Sequence, residues 1–315
     1  MNTKNITDLV TENIRQFDAE TPQHAVIKSG FVDFDAQFGG FFAGEFVVVG
    51  GRPAMGKTQF LINLSLHISM SVPVLYVTLE LSEYKLTSRF ISSVTQIPTT
   101  DILRRELSEE QKAKFFKVGN AFKKRKLFIH ECFYNNIEPL LAHCREQIQE
   151  NGVQVIFIDY LQLLNSQKQR DSNRDIEMSH ICREIKNMCK ENNVCVIASS
   201  QLNRSVEHRG FHKRPQLYDL RESGSIEQDA DKVLFIYRPE YYGIVEDVEG
   251  NSLKRHTEII VAKNRSGRMD EFYITRDEDF TNFLNSPKHT MSSGYDFDYT
   301  DEEPKLSEFE EKIPF

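Results

Sequence analysis

The sequence predicts an α/β fold in which a mostly parallel β-sheet is covered by helices on both faces. Short runs of continuous apolar residues recur along the chain, as in segment 153–158, and segments of helical length separate them. One such run, 46–49, leads directly into a glycine-rich turn that a further helical segment follows. Continuous apolar strands are typical of parallel sheets buried on both faces, and alternating strands and helices are typical of α/β domains.

The predicted elements alternate regularly along the chain. Apolar runs predict the strands, and apolar residues spaced three or four positions apart predict the helices. The predicted strands are 46–49, 74–79, 127–129, 153–158, 194–198, 233–237, 258–262 and 272–274. The predicted helices are 5–18, 57–70, 108–124, 137–150 and 174–192. Beyond about residue 285 the hydrophobic periodicity stops, so we expect a flexible tail there.

The first predicted helix, 5–18, is amphipathic. Its apolar stripe consists of Ile6, Leu9, Val10, Ile14 and Phe17. Such a stripe needs a surface against which it can be buried. The residues alone leave two surfaces open: the helix's own domain and a neighbouring subunit.

The composition excludes several classes of protein. The chain of 315 residues has 39% hydrophobic residues, enough to bury a core, and no apolar run long enough for a transmembrane helix. Its start shows no apolar core of a signal peptide, so we expect a cytoplasmic protein. The five cysteines form no C-x-x-C pair, which favours reduced thiols over zinc ligands.

The charge is spread unevenly along the chain. The net charge is −8, which argues against wholesale attraction to nucleic acid. Residues 296–315 hold eight acidic residues and two lysines, so this segment carries −6 and the remaining residues carry −2. The nearly neutral body leaves room for a local basic path for DNA.

The segment 51–58 carries a phosphate-binding motif. It matches G-x-x-x-x-G-K-[ST] in full and lies between a predicted strand and a predicted helix. Glycines let consecutive backbone N–H groups surround an anion, and the helix N-terminus adds positive potential. We therefore expect nucleotide phosphates on Lys57 and Mg²⁺ on the Thr58 hydroxyl. The expected binding residues are Gly51, Arg52, Pro53, Ala54, Met55, Gly56, Lys57 and Thr58.

Two carboxylates follow predicted strands. Asp159 ends the strand 153–158, where burial is costly without a cation or hydrogen bonds, so we favour a Mg²⁺ ligand over a cap of the next segment. Glu80 follows the strand 74–79, which we expect to lie beside strand 46–49, the strand that leads into the phosphate-binding loop (P-loop) 51–58. Glu80 either activates water or begins the next helix. All three strands would end at the same edge of the sheet, where ligands of open α/β sheets bind.

Seven motifs in this order resemble the motor domain of the DnaB family of replicative DNA helicases. The resemblance covers roughly residues 20–285, and its most specific string is DLRESGSIEQDAD. The motifs are GRPAMGKT (51–58), TLELS (78–82), IDYLQLL (158–164), SSQLNR (199–204), DLRESGSIEQDAD (219–231), FIYR (235–238) and AKNRSG (262–267). The resemblance implies a RecA-like P-loop ATPase with a twisted, mostly parallel sheet, preceded by a linker-type helix, that uses ATP and Mg²⁺.

The resemblance also implies roles for single residues. Glu80 resembles the catalytic glutamate, and Asp159 resembles the Mg²⁺-binding acid of the second nucleotide motif. Gln201 resembles the sensor of the γ-phosphate, and Lys263 and Arg265 resemble the pair presented to the ATP of the adjacent subunit. An arginine in that position would stabilise the charge that develops on the transferred phosphoryl group.

DNA binding follows from the same resemblance. Arg221, Glu222 and Gly224 match the central-pore loop that grips one DNA strand in the family. One basic residue per loop binds weakly, but six loops around a homo-hexameric ring would add their contacts to single-stranded DNA. In the family the linker helix packs on the next subunit, which for the helix 5–18 favours ring assembly.

The sequence departs from the family's pattern in two places. The family usually carries a helical N-terminal domain. We do not expect that domain in this chain, which puts the family's usual mode of primase docking in doubt. The family often reads R-N-G-P after the trans-acting pair, whereas this chain has Arg265-Ser266-Gly267-Arg268. We expect three parts: an amphipathic linker helix at 1–20, an ATPase domain at 21–285 and a disordered acidic tail at 286–315.

The last three residues of the tail form a motif of their own. It ends in Ile313, Pro314 and Phe315, and so resembles the C-terminal tip of bacterial single-stranded DNA-binding proteins, whose last Phe fills an apolar pocket of a partner. Such a tip would recruit a partner such as primase. An acidic tail of the common kind would only keep the chain soluble.

Three functions are considered for this sequence. The first is an ATP-driven hexameric ring that unwinds DNA in replication, 5′ to 3′ by resemblance. The second is a RecA-fold DNA-dependent ATPase that acts as a nucleotide switch or recombination mediator without processive unwinding. The third is a non-enzymatic scaffold, against which the intact site residues argue. The DLRESGSIEQDAD string and the pair Lys263 and Arg265 favour the first function over the second.

Overall fold

Within the described residues, nine strands form one mixed sheet. The computed structural model describes residues 3, 5–17, 26–169, 173–209, 213–220, 224–247 and 249–286. The strands are β1 Phe46–Gly51, β2 Val74–Thr78, β3 Leu127–Glu131, β4 Val155–Asp159, β5 Cys195–Gln201, β6 Lys232–Tyr237, β7 His256–Asn264, β8 Glu271–Arg276 and β9 Phe283–Asn285. They lie in the order β3-β2-β4-β5-β1-β6-β7-β8-β9. The strands from β3 to β6 run parallel, and β7, β8 and β9 extend the sheet in antiparallel pairs, so the predicted fold class is confirmed.

The helices connect the parallel strands and cover both faces of the sheet. They are α1 Ile6–Phe17, α2 Val32–Phe38, α3 Lys57–Ile68, α4 Glu83–Thr95, α5 Thr99–Arg104, α6 Glu109–Lys123, α7 Ile137–Asn151, α8 Arg174–Asn192 and α9 Gly224–Asp229. Side-chain caps fix where several of them begin, and at Ser108 a full capping box precedes α6. The short helices α2 and α5 escaped prediction because seven and six residues are too few to show a helical period.

The strand order corrects one expectation. The strand before Glu80, β2, was expected beside the P-loop strand β1, but β4 and β5 lie between them. Strands that follow each other in sequence need not be neighbours, because a later crossover can insert a strand between them. The shared edge is still as predicted, since β1, β2 and β4 run parallel and their carboxyl ends meet at one edge of the sheet.

Two apolar layers bury the sheet. One face packs against α2, α3 and α4 and contains a cluster of phenylalanines in which Phe31 stacks on Phe60 with ring centroids 5.1 Å apart. The other face packs against α7, α8 and α9. All of β1 is buried, with no exposed surface on Phe46, Val47, Val48 or Val49. The P-loop therefore starts from a fully buried strand.

Helix α1 leaves its apolar stripe in solvent. Ile6 is 71% exposed, Ile14 is 64% exposed and Phe17 is 90% exposed. Its own domain therefore does not bury the stripe. In the described part of the chain, no helix is both long and apolar enough to cross a membrane.

Candidate nucleotide site

The P-loop joins the buried end of β1 to the first turn of α3. Gly56 lies immediately before α3 and adopts a left-handed conformation with φ of 98°. A Cβ atom there would lie 2.6 Å from Cζ of Phe280 and 2.8 Å from Cζ of Phe283, so both the conformation and the packing require glycine. Because the first N–H groups of a helix have no acceptor within the helix, those of α3 are suited to binding an anion.

Lys57 is held over the loop by backbone carbonyls. Its Nζ atom donates hydrogen bonds to the carbonyl oxygens of Gly51 at 2.9 Å and Arg52 at 3.2 Å. Burial lowers the pKa of Lys57 to about 8, against the opposing effect of the carboxylates of Asp159 and Glu80. The nearby carboxylates thus do not fully offset the cost of burying the Lys57 cation, which favours an anionic ligand beside it.

Asp159 ends β4 as a buried carboxylate, 4% exposed. Ser199 on β5 donates a hydrogen bond from its hydroxyl to Oδ1, and the Tyr76 hydroxyl on β2 lies 3.3 Å from Oδ2. Burial and the neighbouring carboxylate raise the pKa of Tyr76 well above its ordinary value. Hydroxyl groups of both neighbouring strands therefore orient the carboxylate at the sheet edge, and no hydrogen bond of the described residues makes it a cap of the following turn.

Glu80 lies outside both the strand and the helix. Strand β2 ends at Thr78, and α4 begins at Glu83 after the capping residue Ser82. Glu80 is exposed and lines the same cleft as Lys57. The alternative that Glu80 begins the next helix is therefore wrong.

A cleft of about 540 Å³ collects most of the predicted residues. Its lining residues are Pro53, Ala54, Gly56, Lys57, Thr58, Gln59, Glu80, Arg89, Asp159, Tyr160, Gln201, Arg238, Tyr241 and Phe280. Three predicted P-loop residues are not among them. Met55 is buried in the core, and the Arg52 guanidinium turns away to Glu207, at 2.7 and 2.9 Å, and to the carbonyl oxygen of Leu202, at 2.7 Å. Gly51 contributes the carbonyl that holds Lys57.

Gln201 reaches the cleft from the end of β5, where Gln162 fixes its backbone. The Gln162 side chain donates to the hydroxyl of Ser200 at 2.8 Å and to the carbonyl oxygen of Gln201 at 3.1 Å. In return, the backbone N–H of Gln201 donates to Gln162 at 3.1 Å. Gln162 was not singled out from the sequence, although it lies within the string IDYLQLL.

Comparison with known proteins identifies the family. The family model "DnaB-like helicase C terminal domain" matches residues 26–285. The chain belongs to this family. The resemblance stated from the motifs is thereby confirmed.

Named relatives and solved structures agree with the family match. The "Probable replicative DNA helicase" of Trieres chinensis is 36% identical over 272 residues, which cover 85% of this chain and 59% of the relative. "Replicative DNA helicase DnaB" of Rickettsia typhi is 35% identical over 291 residues, covering 85% of this chain and 58% of the relative. The solved structure "ATPase Domain of G40P" superposes with a TM-score of 0.82 at 30% identity and covers 90% of this chain and 100% of its own. The chain thus spans a little under three-fifths of these two helicases, and its RecA-like fold is that of the DnaB-like ATPase domain.

Arg238 and Phe280 line the cleft but were not predicted from the sequence. Arg238 follows the end of β6, donates to the carbonyl oxygen of Ala54 at 3.0 Å and lies with Cζ 4.6 Å from the Phe280 ring centroid. Burial would raise the pKa of Glu240, but hydrogen bonds from Arg276 and Arg238 lower it to about 2. The string FIYR could have pointed to Arg238, because its strand ends at the same edge as the P-loop strand.

Lys263 and Arg265 lie away from this cleft. Strand β7 runs antiparallel to β6, and Lys263 pairs with Val233 near the start of β6, at the edge of the sheet opposite the P-loop. Lys263 Nζ donates to the Glu227 carbonyl oxygen at 2.5 Å, and Arg265 Nη2 donates to that of Gln228 at 2.5 Å. Burial, and then the adjacent guanidinium, lower the pKa of Lys263. In the chain's own geometry this pair cannot serve its own nucleotide cleft.

Some predicted residues lie outside the described parts of the chain. Arg221 and Glu222 are among them, whereas Gly224 begins α9. The tail residues Ile313, Pro314 and Phe315 also lie outside the described residues.

Proposed function

We propose that the protein is the ATP-hydrolysing motor of a ring-forming DNA helicase of the DnaB type, acting in replication in the cytoplasm. The observation that carries the proposal is the cleft itself. It brings Lys57, Thr58, Glu80 and Asp159 together at the carboxyl ends of three parallel strands. A cation, a hydroxyl and two carboxylates in one cleft are the groups that hydrolysis of a nucleoside triphosphate requires.

The donors in the cleft fit Mg²⁺. The Thr58 hydroxyl and the Asp159 carboxylate are hard oxygen ligands, which suit Mg²⁺ completed by water and phosphate oxygens. Within the described residues no group of three or more His, Cys, Asp or Glu side chains could hold a metal ion alone. When bound, Mg²⁺ would neutralise charge on the phosphate oxygens.

The chain's own residues then have separate roles in binding and hydrolysing the nucleotide. Lys57 contacts the outer phosphates, where its cation is poorly compensated by the protein. The exposed Glu80 carboxylate orients water and accepts its proton, and Gln201 contacts the γ-phosphate from the end of β5. The Phe280 ring, with Arg238 stacked on it and Tyr241 nearby, offers an aromatic wall for the base.

The position of the trans-acting pair supports assembly. Because Lys263 and Arg265 lie at the edge opposite their own cleft, they would complete the cleft of a second copy. Repeating this contact around a homo-hexameric ring would place six copies of the segment 221–224 around single-stranded DNA. The exposed apolar stripe of α1 would be buried in the same assembly.

The proposal divides the chain into three parts. We assign residues 1–20 to the linker, 21–285 to the motor and 286–315 to a partner tail that ends in Ile-Pro-Phe and recruits primase or a related replication protein. A second similar solved structure, "The Structure Of A DnaB-Like Replicative Helicase And Its Interactions With Primase", superposes with a TM-score of 0.80 at 30% identity and covers 90% of this chain and 68% of its own. The primase partner of the present chain is a proposal that the tail sequence supports.

The decisive experiment is strand displacement on a forked DNA substrate with ATP and Mg²⁺. The intact protein should displace the strand from a fork with a free 5′ tail, and Lys57→Ala should not. Imaging of the same sample should show rings. Hydrolysis of ATP without displacement, with rings present, would favour the nucleotide switch over the helicase.

A further inference from the structure

We propose that Tyr218 and Arg209 form a stacking platform for a base of single-stranded DNA. The inference rests on the proposed function and adds a contact of different chemistry to the phosphate contacts of the segment 221–224. Tyr218 lies in the 3-10 turn Leu217–Leu220 and is 58% exposed. An exposed tyrosine ring is a large apolar face, and every nucleobase has a π-face that can cover it.

One face of the Tyr218 ring is already occupied. The Arg209 Cζ atom lies 4.4 Å from the ring centroid. The guanidinium is itself held at its edges, because Nη1 donates to the carbonyl oxygen of Arg214 at 2.8 Å and Nη2 pairs with Asp219. Arg209 thus lies over one side of the ring, and 58% of Tyr218 remains exposed for a ligand.

Hydrogen bonds and packing fix the turn that carries Tyr218. Asp219 is fully buried and accepts the N–H of Gln216 at 2.7 Å, and its carbonyl oxygen accepts the N–H of Asn203 at 2.9 Å. Leu220, on the other side of Asp219, is 2% exposed and packs in the core. Tyr218 therefore stands on an anchored turn, which lowers the entropy cost of stacking a ligand on it.

The segment that carries the platform has a small net positive charge. Residues 204–220 contain four Arg and Lys residues against Glu207 and Asp219, a net charge of +2 in a chain of −8. Arg204 is exposed in the same segment. Arg209 is paired with Asp219, and Arg214 is paired with Glu258 and Glu271. A strand of DNA would therefore meet an aromatic face on a segment that also exposes Arg204.

Chain length places the platform next to the proposed DNA segment. Tyr218 precedes Arg221 by three residues, which span at most about 11 Å. A strand whose phosphates bind at Arg221 passes within reach of the Tyr218 ring. Phosphate and base contacts would thus act on neighbouring nucleotides.

The test compares Tyr218→Ala with the intact chain by fluorescence anisotropy on a single-stranded oligonucleotide, and repeats it on an abasic oligonucleotide of equal length. Tyr218→Ala should weaken binding to the base-containing strand about five- to tenfold, with an unchanged salt slope. Tyr218→Phe should keep the intact affinity, and Arg209→Lys should lose part of it because the planar face is gone. Binding to the abasic strand should be equal for the intact chain and Tyr218→Ala.

Controls separate stacking from folding and from the proposed function. Tyr134, 82% exposed in the loop after β3, provides a matched variant, Tyr134→Ala, that should leave DNA affinity unchanged. Equal affinity of Tyr218→Ala and the intact chain for base-containing DNA would overturn the platform alone. An equal loss on abasic DNA would also overturn it. If the intact chain binds no single-stranded DNA at all, the proposed function fails together with the platform.

Discussion

Arg265 is joined to Asp231 twice, through its side chain and through its backbone. Nη1 of Arg265 lies 3.2 Å from Oδ1 of Asp231, and its backbone N–H donates to the carbonyl oxygen of Asp231 at 2.9 Å. Asp231 is itself paired with Lys186 at 2.5 Å. The Arg265 side chain nevertheless remains 48% exposed. A buried ion pair therefore holds a half-exposed guanidinium in a defined place at the sheet edge.

The first prediction tests this guanidinium. Arg265→Ala should bind ATP but lower hydrolysis by roughly 10³-fold, because the cation acts on the nucleotide of another copy. Mixing it with Lys57→Ala should restore part of the activity where an intact P-loop meets an intact Arg265, measured as phosphate release over a series of mixing ratios. Arg268→Ala, three residues further along, is the matched control and should hydrolyse normally. Mixed rings without any recovery would rule out action on a second copy.

The second prediction concerns Glu80. Glu80→Gln should keep ATP affinity and lose hydrolysis, since an amide cannot accept the proton of water. Binding is measured with a fluorescent ATP analogue and turnover by phosphate release. Glu83→Gln, at the start of α4, is the matched control and should behave as the intact chain. Normal turnover in Glu80→Gln would show that another group activates water.

The third prediction follows from the pKa of Lys57, which burial lowers to about 8. Bound phosphates raise that pKa, so above about pH 8 the complex holds more protons than the free protein. ATP affinity should therefore be flat from pH 7 to about 8 and fall by up to about tenfold per pH unit above it. Lys57→Arg stays charged throughout and should show no such fall. A flat profile for the intact chain up to pH 9.5 would contradict the role of Lys57.

The fourth prediction concerns Gln162, a positioning residue for Gln201. Gln162→Ala removes the three hydrogen bonds that fix the end of β5. We expect kcat to fall roughly ten- to hundredfold with little change in KM, because Gln201 would sit off its productive geometry. Gln167→Ala, nearby and exposed, is the control. A rise in KM at constant kcat would instead indicate a role in ground-state binding.

The fifth prediction concerns the acidic tail. Deleting 313–315 should abolish capture of purified primase in a pull-down, because the aromatic anchor and the free carboxylate are lost together. Adding one residue after Phe315 should have nearly the same effect by displacing the carboxylate. Capture by both altered chains at the level of the intact chain would reduce the tail to a solubilising segment.

The local part of the site could be predicted from the sequence. The phosphate loop and the acid that ends β4 depend on residues close together in the chain, so short motifs define them. Glu80 was placed at the right edge even though its strand was expected two positions nearer to β1. The parallel direction of β2, and not its rank in the sheet, decides where Glu80 lies.

The remaining residues depend on contacts over long sequence separations. Arg238 and Phe280 enter the cleft because β6 ends beside β1 and the chain returns after β8, which no short pattern encodes. Arg52 lies inside the motif, but its guanidinium turns away because Glu207 offers a partner 155 positions later. Side-chain direction is therefore set by tertiary packing, even where a motif fixes the backbone.

The antiparallel course of β7 has a consequence for symmetry. It places the nucleotide cleft and the pair Lys263 and Arg265 on opposite edges of one sheet. If this pair acts on the cleft of a second copy, as proposed, the two surfaces that meet are different. Two copies related by a two-fold axis could not satisfy both surfaces of each copy, because such an interface pairs a surface with itself. Only a heterologous interface does so, and repeating it produces either a closed ring or an open helical filament. In an open ring, the nucleotide cleft at the gap would lack the Lys263 and Arg265 of a neighbouring copy. The rate of ATP hydrolysis per chain would therefore be highest when the ring is closed.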